Sequence, residues 1–199
     1  MTTRRALAAV LCCFALVAAA CGGDDDEPSP ATPAPPPTEA APTATPCVLD
    51  GATTDAKETD NDPEISPMIE VRTSGEGCPR VVFEFENQIA DYKVSYIEPP
   101  ATDCGSGEEV DTSTWDAGAL MEVRLEPSGG PDLTSEEGEP TYKGSRDIDV
   151  EEDDILTHLK VSCDFEAVFT WVIGLDEERP FTVTTLQNPS RLVVEISQA

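Results

Sequence analysis

The sequence predicts an all-β fold, an antiparallel β-sandwich or open barrel, and three observations carry that reading. Short runs alternate apolar and polar residues with a period of two, turn clusters separate them, and no segment has convincing helical periodicity. Val81, Phe83 and Phe85 alternate with Val82, Glu84 and Glu86, which gives one buried face and one wet face. Tyr92, Val94 and Tyr96 alternate with Lys93 and Ser95, and Met121, Val123 and Leu125 with Glu122, Arg124 and Glu126. Ile155, Leu159 and Val161 are set against Leu156, His158 and Lys160. Val168 to Ile173 is apolar on both sides apart from Thr170, as in a strand covered on both faces. Phe181 to Leu186 and Leu192 to Ile196 complete the set. Pro99-Pro100, Ser128-Gly129-Gly130-Pro131 and Asn188-Pro189-Ser190 supply turns, and Asp149 to Leu156 reads as a loop or a single helical turn.

Ahead of this body the chain reads as a leader followed by a spacer. Arg4 and Arg5 form a positive n-region and Ala6 to Ala20 an apolar run too short to remain as a membrane span. The ending Leu16-Val17-Ala18-Ala19-Ala20-Cys21 resembles a bacterial lipoprotein signal peptide, residues 1–20, although Ala18 stands where such boxes usually carry Leu. The resemblance implies lipidation of Cys21, hence a lipid anchor in the membrane and an extracytoplasmic location; Thr3-Arg4-Arg5 leaves general and twin-arginine export both open. Residues 21–64 read as a disordered linker. Asp24-Asp25-Asp26-Glu27 is a solvated acidic block, and eight prolines fall between Pro28 and Pro46. Such a segment buries too little to offset the entropy of ordering, and at about 3.1 Å per residue the nineteen residues from Pro28 to Pro46 would extend to roughly 60 Å. The folded part then spans residues 65–199, a length that suits one domain.

Charge and cysteines narrow the partners. The chain carries 40 acidic and 12 basic residues, a formal net charge of −28. A surface this acidic repels phosphate backbones, so nucleic acid is excluded as a partner. Cys12 and Cys13 leave with the leader, and Cys47, Cys78, Cys104 and Cys163 remain for two disulfides in an oxidising compartment, with three pairings open. Metal ligation is the poorer reading of these four, because they form no C-x-x-C pair and His158 is the only histidine. If Cys47 is bridged, the end of the linker is pinned to the domain.

At the strand residues a family resemblance emerges. Arg80-Val81-Val82-Phe83-Glu84-Phe85 and Tyr92-Lys93-Val94-Ser95-Tyr96 resemble the opening of the AMIN-like domain of bacterial lipoproteins. Gly105-Ser106-Gly107, Leu120 to Leu125, Trp171-Val172-Ile173-Gly174-Leu175, Pro180-Phe181-Thr182-Val183 and Pro189-Ser190-Arg191-Leu192-Val193-Val194-Glu195-Ile196 follow in the family's order, over roughly Met68 to Ser197. The likeness implies a β-sandwich related to the module that targets cell-wall amidases to peptidoglycan. Gly77-Cys78-Pro79-Arg80 and Cys163 depart from the family pattern and imply added disulfides.

No catalytic chemistry comes with it. A zinc amidase needs several histidine and carboxylate ligands, a Ser-His-Asp triad would need His158 as base, and neither a Gly-x-Ser-x-Gly turn nor a phosphate-cradling glycine loop is present. His158 reads instead as a solvent-facing strand residue. Asp147, Asp149, Glu151 and Asp153, and Asp60-Asn61-Asp62, lack the glycine and distal glutamate of a calcium loop, so no metal and no cofactor is expected. The expectation is a non-catalytic envelope module that binds peptidoglycan or another wall component; the alternative is a lipoprotein docking another envelope protein through a sheet edge or acidic loops. A solute-binding component for transport is disfavoured, because such proteins are usually larger and two-lobed. Sugar rings stack on aromatics and bond to arginine, so Tyr96, Trp115, Tyr142, Trp171 and Arg191 are the candidate contacts. Trp171, in an apolar strand, reads first as core; Trp115, between Thr114 and Asp116, is the better candidate for an exposed ring.

Overall fold

The computed structural model describes residues 46–75, 77–131, 138–151 and 153–198. The leader, Cys21 and the proline-rich stretch to residue 45 lie outside these described residues. Eleven strands and no helix occur among them: β1 (Lys57–Glu58), β2 (Ser66–Ser74), β3 (Arg80–Phe85), β4 (Asp91–Ile97), β5 (Ala119–Glu126), β6 (Ser128–Gly129), β7 (Asp147–Asp149), β8 (Leu156–Phe165), β9 (Val168–Leu175), β10 (Phe181–Leu186) and β11 (Ser190–Ile196). They form two sheets, β1-β4-β5-β9-β8-β7 and β10-β11-β3-β2-β6, antiparallel except for the short β2/β6 pair. Neither sheet closes on itself, so the fold is a sandwich and not a barrel.

Alternation explains the core. Val81, Phe83 and Phe85 of β3, Leu192, Val194 and Ile196 of β11, and Phe181 of β10 face Val94, Met121, Val123, Leu125, Phe169, Trp171 and Ile173 of the other sheet, all essentially inaccessible to solvent. The alternation expected in β8 is broken. A register shift between Leu156 and His158 inserts Thr157, so Leu156 joins Leu159 in the core instead of opposing it.

Strand β9 is covered on both faces for a specific reason. The loop between β4 and β5 folds back over the outer side of the six-stranded sheet, where Ala101, Val110 and Trp115 pack on Leu120 and Val172 as a second small core. The Cys104–Cys163 disulfide and the Cys104 N–H donating to the Ser162 carbonyl (3.0 Å) pin it there. Gly174 permits the close approach: a Cβ there would lie 2.7 Å from Thr157 Oγ1 and 3.0 Å from Trp115 Cε3.

The sequence reading ends the linker at residue 64, whereas residues 46–64 run along the body. Cys47 is bridged to Cys78, Thr53 and Phe181 exchange backbone hydrogen bonds, β1 adds to the edge of β4, and Asp91 receives the Asn61 and Asp62 amides at 2.7 and 3.0 Å. A polar, acidic segment can be ordered because its backbone donors find partners, not because it buries apolar surface. Partial burial pushes the Asp91 pKa up, but hydrogen bonds from Thr59, Asn61 and Asp62 outweigh it and hold the carboxyl below its ordinary value. A group more acidic folded than unfolded adds stability above the unfolded carboxylate pKa of about 3.9 and loses it as pH falls through the lowered folded value. The Asn61 and Asp62 amides should therefore lose hydrogen-exchange protection on acidification below about pH 4 while β3 and β9 stay protected, and Asp91→Ala should reproduce that loss at neutral pH. Equal protection in the variant would show that the carboxylate does not hold this segment.

Candidate functional site

Four of the five candidate contacts are committed to the fold. Trp171 is fully buried, packed on Phe83, Phe169 and Tyr142. Tyr142 is 5% exposed, with its ring edge-on to Trp171 and its hydroxyl donating to the Ser145 carbonyl at 2.5 Å. Tyr96 lies half-buried; its hydroxyl donates to the Arg179 carbonyl (2.7 Å) and accepts from the Arg179 N–H (2.8 Å). Burial raises both tyrosine pKa values. Trp115, expected as an exposed ring, is 9% exposed and stacks on His158 with centroids 4.3 Å apart and planes 18° from parallel. His158 is correspondingly sheltered and not solvent-facing: beyond the Trp115 ring it meets Asp147 and Asp149. Hydrophobic coverage decided these outcomes, since each ring sits on an inner face or under a loop.

Several of the carboxylates singled out for calcium are likewise engaged. Asp147 pairs with Lys160 and His158, whose hydrogen bonds, Lys160 first, draw its pKa down. Asp60-Asn61-Asp62 belongs to the segment clamped on Asp91. Asp116, Asp149, Asp153, Asp154 and Asp176 surround a groove of about 540 Å³, but among the described residues no three His, Cys, Asp or Glu are arranged to hold a metal ion.

Arg191 is the candidate that stays available. It projects from the outer face of the five-stranded sheet, because its neighbours Ser190 and Leu192 turn inward. Cross-strand rows on that face read Glu70–Glu84–Arg191–Leu186, Arg72–Val82–Val193–Thr184 and Ser74–Arg80–Glu195–Thr182. Three arginines balance three glutamates there, so this face is locally neutral on a chain of net charge −28. Arg72 bonds to Glu70 and Glu84 at 2.8 and 2.9 Å, and Arg80 lies 3.9 Å from Glu195. Of the arginines among the described residues, Arg191 alone has no ion pair, and its buried Nε has no hydrogen-bond partner. Sequence reasoning passed over one residue, Phe165, which is 58% exposed at the end of β8.

Fold, faces and bridges define a disulfide-braced β-sandwich module of the kind built in an oxidising compartment. Residues 66–198 match the AMIN-like domain family, and the chain belongs to that family. It is a cell-wall-related, non-catalytic domain family whose members occur in extracytoplasmic envelope proteins. No curated protein and no solved structure matches the chain.

Proposed function

We propose that this protein is a non-catalytic lipoprotein, anchored by a lipid on Cys21, whose sandwich binds peptidoglycan through the outer face of the five-stranded sheet. The observation that carries this reading is Arg191. A guanidinium without an ion pair, on a locally neutral face of an acidic chain, is suited to a carboxylate, to which its planar fork donates two parallel hydrogen bonds. Peptidoglycan carries carboxylates on its peptides, and the proline-rich spacer gives the domain reach toward it. Loss of one such charge-assisted contact is worth about 1.5–3 kcal/mol, or at least tenfold in affinity.

Arg191→Ala should therefore reduce retention of the full mature chain on insoluble peptidoglycan by about tenfold with an unchanged melting profile, and Arg191→Lys should restore part of it. Wild-type protein left in the supernatant at moderate salt would sink the reading. The second reading, docking of an envelope protein, draws on β10: Thr53 pairs only with Phe181, so the outer edge of this strand is open beyond its first residue. Mass spectrometry of the mature amino terminus tests the anchor, and a Cys21 free of fatty acyl groups would remove it.

A further inference from the structure

We propose that a second contact, for a pyranose ring of the wall glycan, lies at the β8–β9 hairpin with Phe165 as its stacking platform. It rests on the wall-binding reading and adds the sugar to the carboxylate as a recognised group. Phe165 is the one exposed aromatic among the described residues, and it contributes little to the core at 58% exposure. A single exposed apolar residue is ordinary on a protein surface; three further features set this one apart.

The first is its mounting. The hairpin turns through Glu166 and Ala167, both in the left-handed region with φ of 50° and 62°. Two-residue hairpins need that conformation, but Asn or Gly normally supplies it. Side-chain-bearing residues persist in it where the surroundings over-determine them. Here Phe165 pairs with Val168, and the Ser128 N–H donates to the Ala167 carbonyl at 2.8 Å, so the platform is held still.

The second is the adjoining groove, about 420 Å³, walled by the Cys104–Cys163 disulfide and rimmed by Asp103, Arg146, Lys160 and Asp164. The third is the order of that rim. Arg146 is fixed by Asp164 and lies over the Phe169 ring (5.6 Å), Asp164 also accepts from the Gly130 N–H (3.2 Å), and Lys160 is held by Asp147 (2.9 Å). Each cation keeps donors beyond those bonds, and each carboxylate keeps acceptors. An aromatic face beside alternating donors and acceptors suits the apolar face and hydroxyl rim of a sugar, whereas five charged residues around the groove, Asp147 among them, oppose an apolar peptide.

The test uses the full mature chain and a soluble β-1,4-linked N-acetylglucosamine tetramer, followed by amide chemical shifts. Shifts should cluster at Cys163, Glu166 and Ala167. Phe165→Ala should weaken tetramer binding at least tenfold, while Phe165→Trp keeps it, and Arg191→Ala leaves it unchanged. A wild-type chain retained on peptidoglycan but silent toward the tetramer, or a Phe165→Ala variant that binds it as wild type does, overturns this contact and leaves the wall-binding reading standing. Tetramer binding that depends on Phe165, without retention on whole peptidoglycan, does the reverse.

Discussion

Trp171→Ala is expected to destabilise the domain by about 3–5 kcal/mol, a large part of the 5–15 kcal/mol that holds a typical domain together. The indole sits midway along β9, flanked by Val123 of β5 and Val161 of β8, and touches Phe83 of the opposite sheet with ring centroids 6.2 Å apart. Phe169 at 5.9 Å and Tyr142 at 5.7 Å, the latter perpendicular, complete the cluster. Truncation thus removes contacts within one sheet and between both, and these close-packed neighbours cannot collapse into the space. The indole Nε1 is buried without a hydrogen-bond partner, which already costs about 1–3 kcal/mol. Trp171→Phe deletes that orphan donor along with some volume, so it should cost far less than alanine. Urea melts followed by far-ultraviolet circular dichroism measure both. An alanine variant within about 1 kcal/mol of wild type would mean that this cluster does not join the sheets.

How much of this was legible beforehand depends on what each residue's role rests on. Strands with one buried face announced themselves through alternation and β9, covered on both faces, through an unbroken apolar run, so β3, β4, β5, β9, β10 and β11 could be read almost to their ends. Strand β2 (Ser-Pro-Met-Ile-Glu-Val-Arg-Thr-Ser) could not: Pro67 and a register shift between Met68 and Glu70 spoil its period. β1 and β7 are two and three residues long and charged, and they exist only because a neighbouring strand edge offers backbone partners. Trp171 read first as core and is core, but the burial of the other candidate rings was hidden for a related reason. Whether Trp115 is wet depends on a loop folding back across a sheet, and no local spacing encodes that. Arg191 was readable as a candidate contact, but its missing ion pair is a fact of three-dimensional geometry, since Glu84 directly across the strands is held by Arg72. Phe165, between Asp164 and Glu166, lies outside the runs whose pattern was legible, between Val161 and Val168, and so drew no reading. The pairing of the four cysteines likewise required knowing that the segment from Cys47 returns to the β2–β3 hairpin.

Cutting the Cys104–Cys163 bridge should be the second large perturbation. It closes a loop of 59 residues, for which the chain-entropy model gives about 4 kcal/mol; the Cys47–Cys78 bridge, 31 residues apart, gives slightly less. Paired serine variants should therefore shift urea midpoints by similar amounts, and wild-type midpoints in both would show that the bridges add nothing to stability. Their local consequences should differ. Without Cys104–Cys163 the β4–β5 loop is held only by the small cluster of Ala101, Val110 and Trp115 on Leu120 and Val172. Trp115 should then leave His158 and enter water, shifting tryptophan emission to the red, because Trp171 stays in the core. Without Cys47–Cys78 emission should be unchanged, and Gln198, which accepts from the Cys47 N–H at 2.7 Å, becomes the main tie at the head of the amino-terminal segment. The Cys104–Cys163 bridge also walls the groove beside Phe165. Its removal should weaken binding of the sugar tetramer while the Arg191 face, on the opposite sheet, keeps its hold on peptidoglycan carboxylates. A variant that loses both together would mean that the two faces are not independent and that the domain engages the wall as one surface.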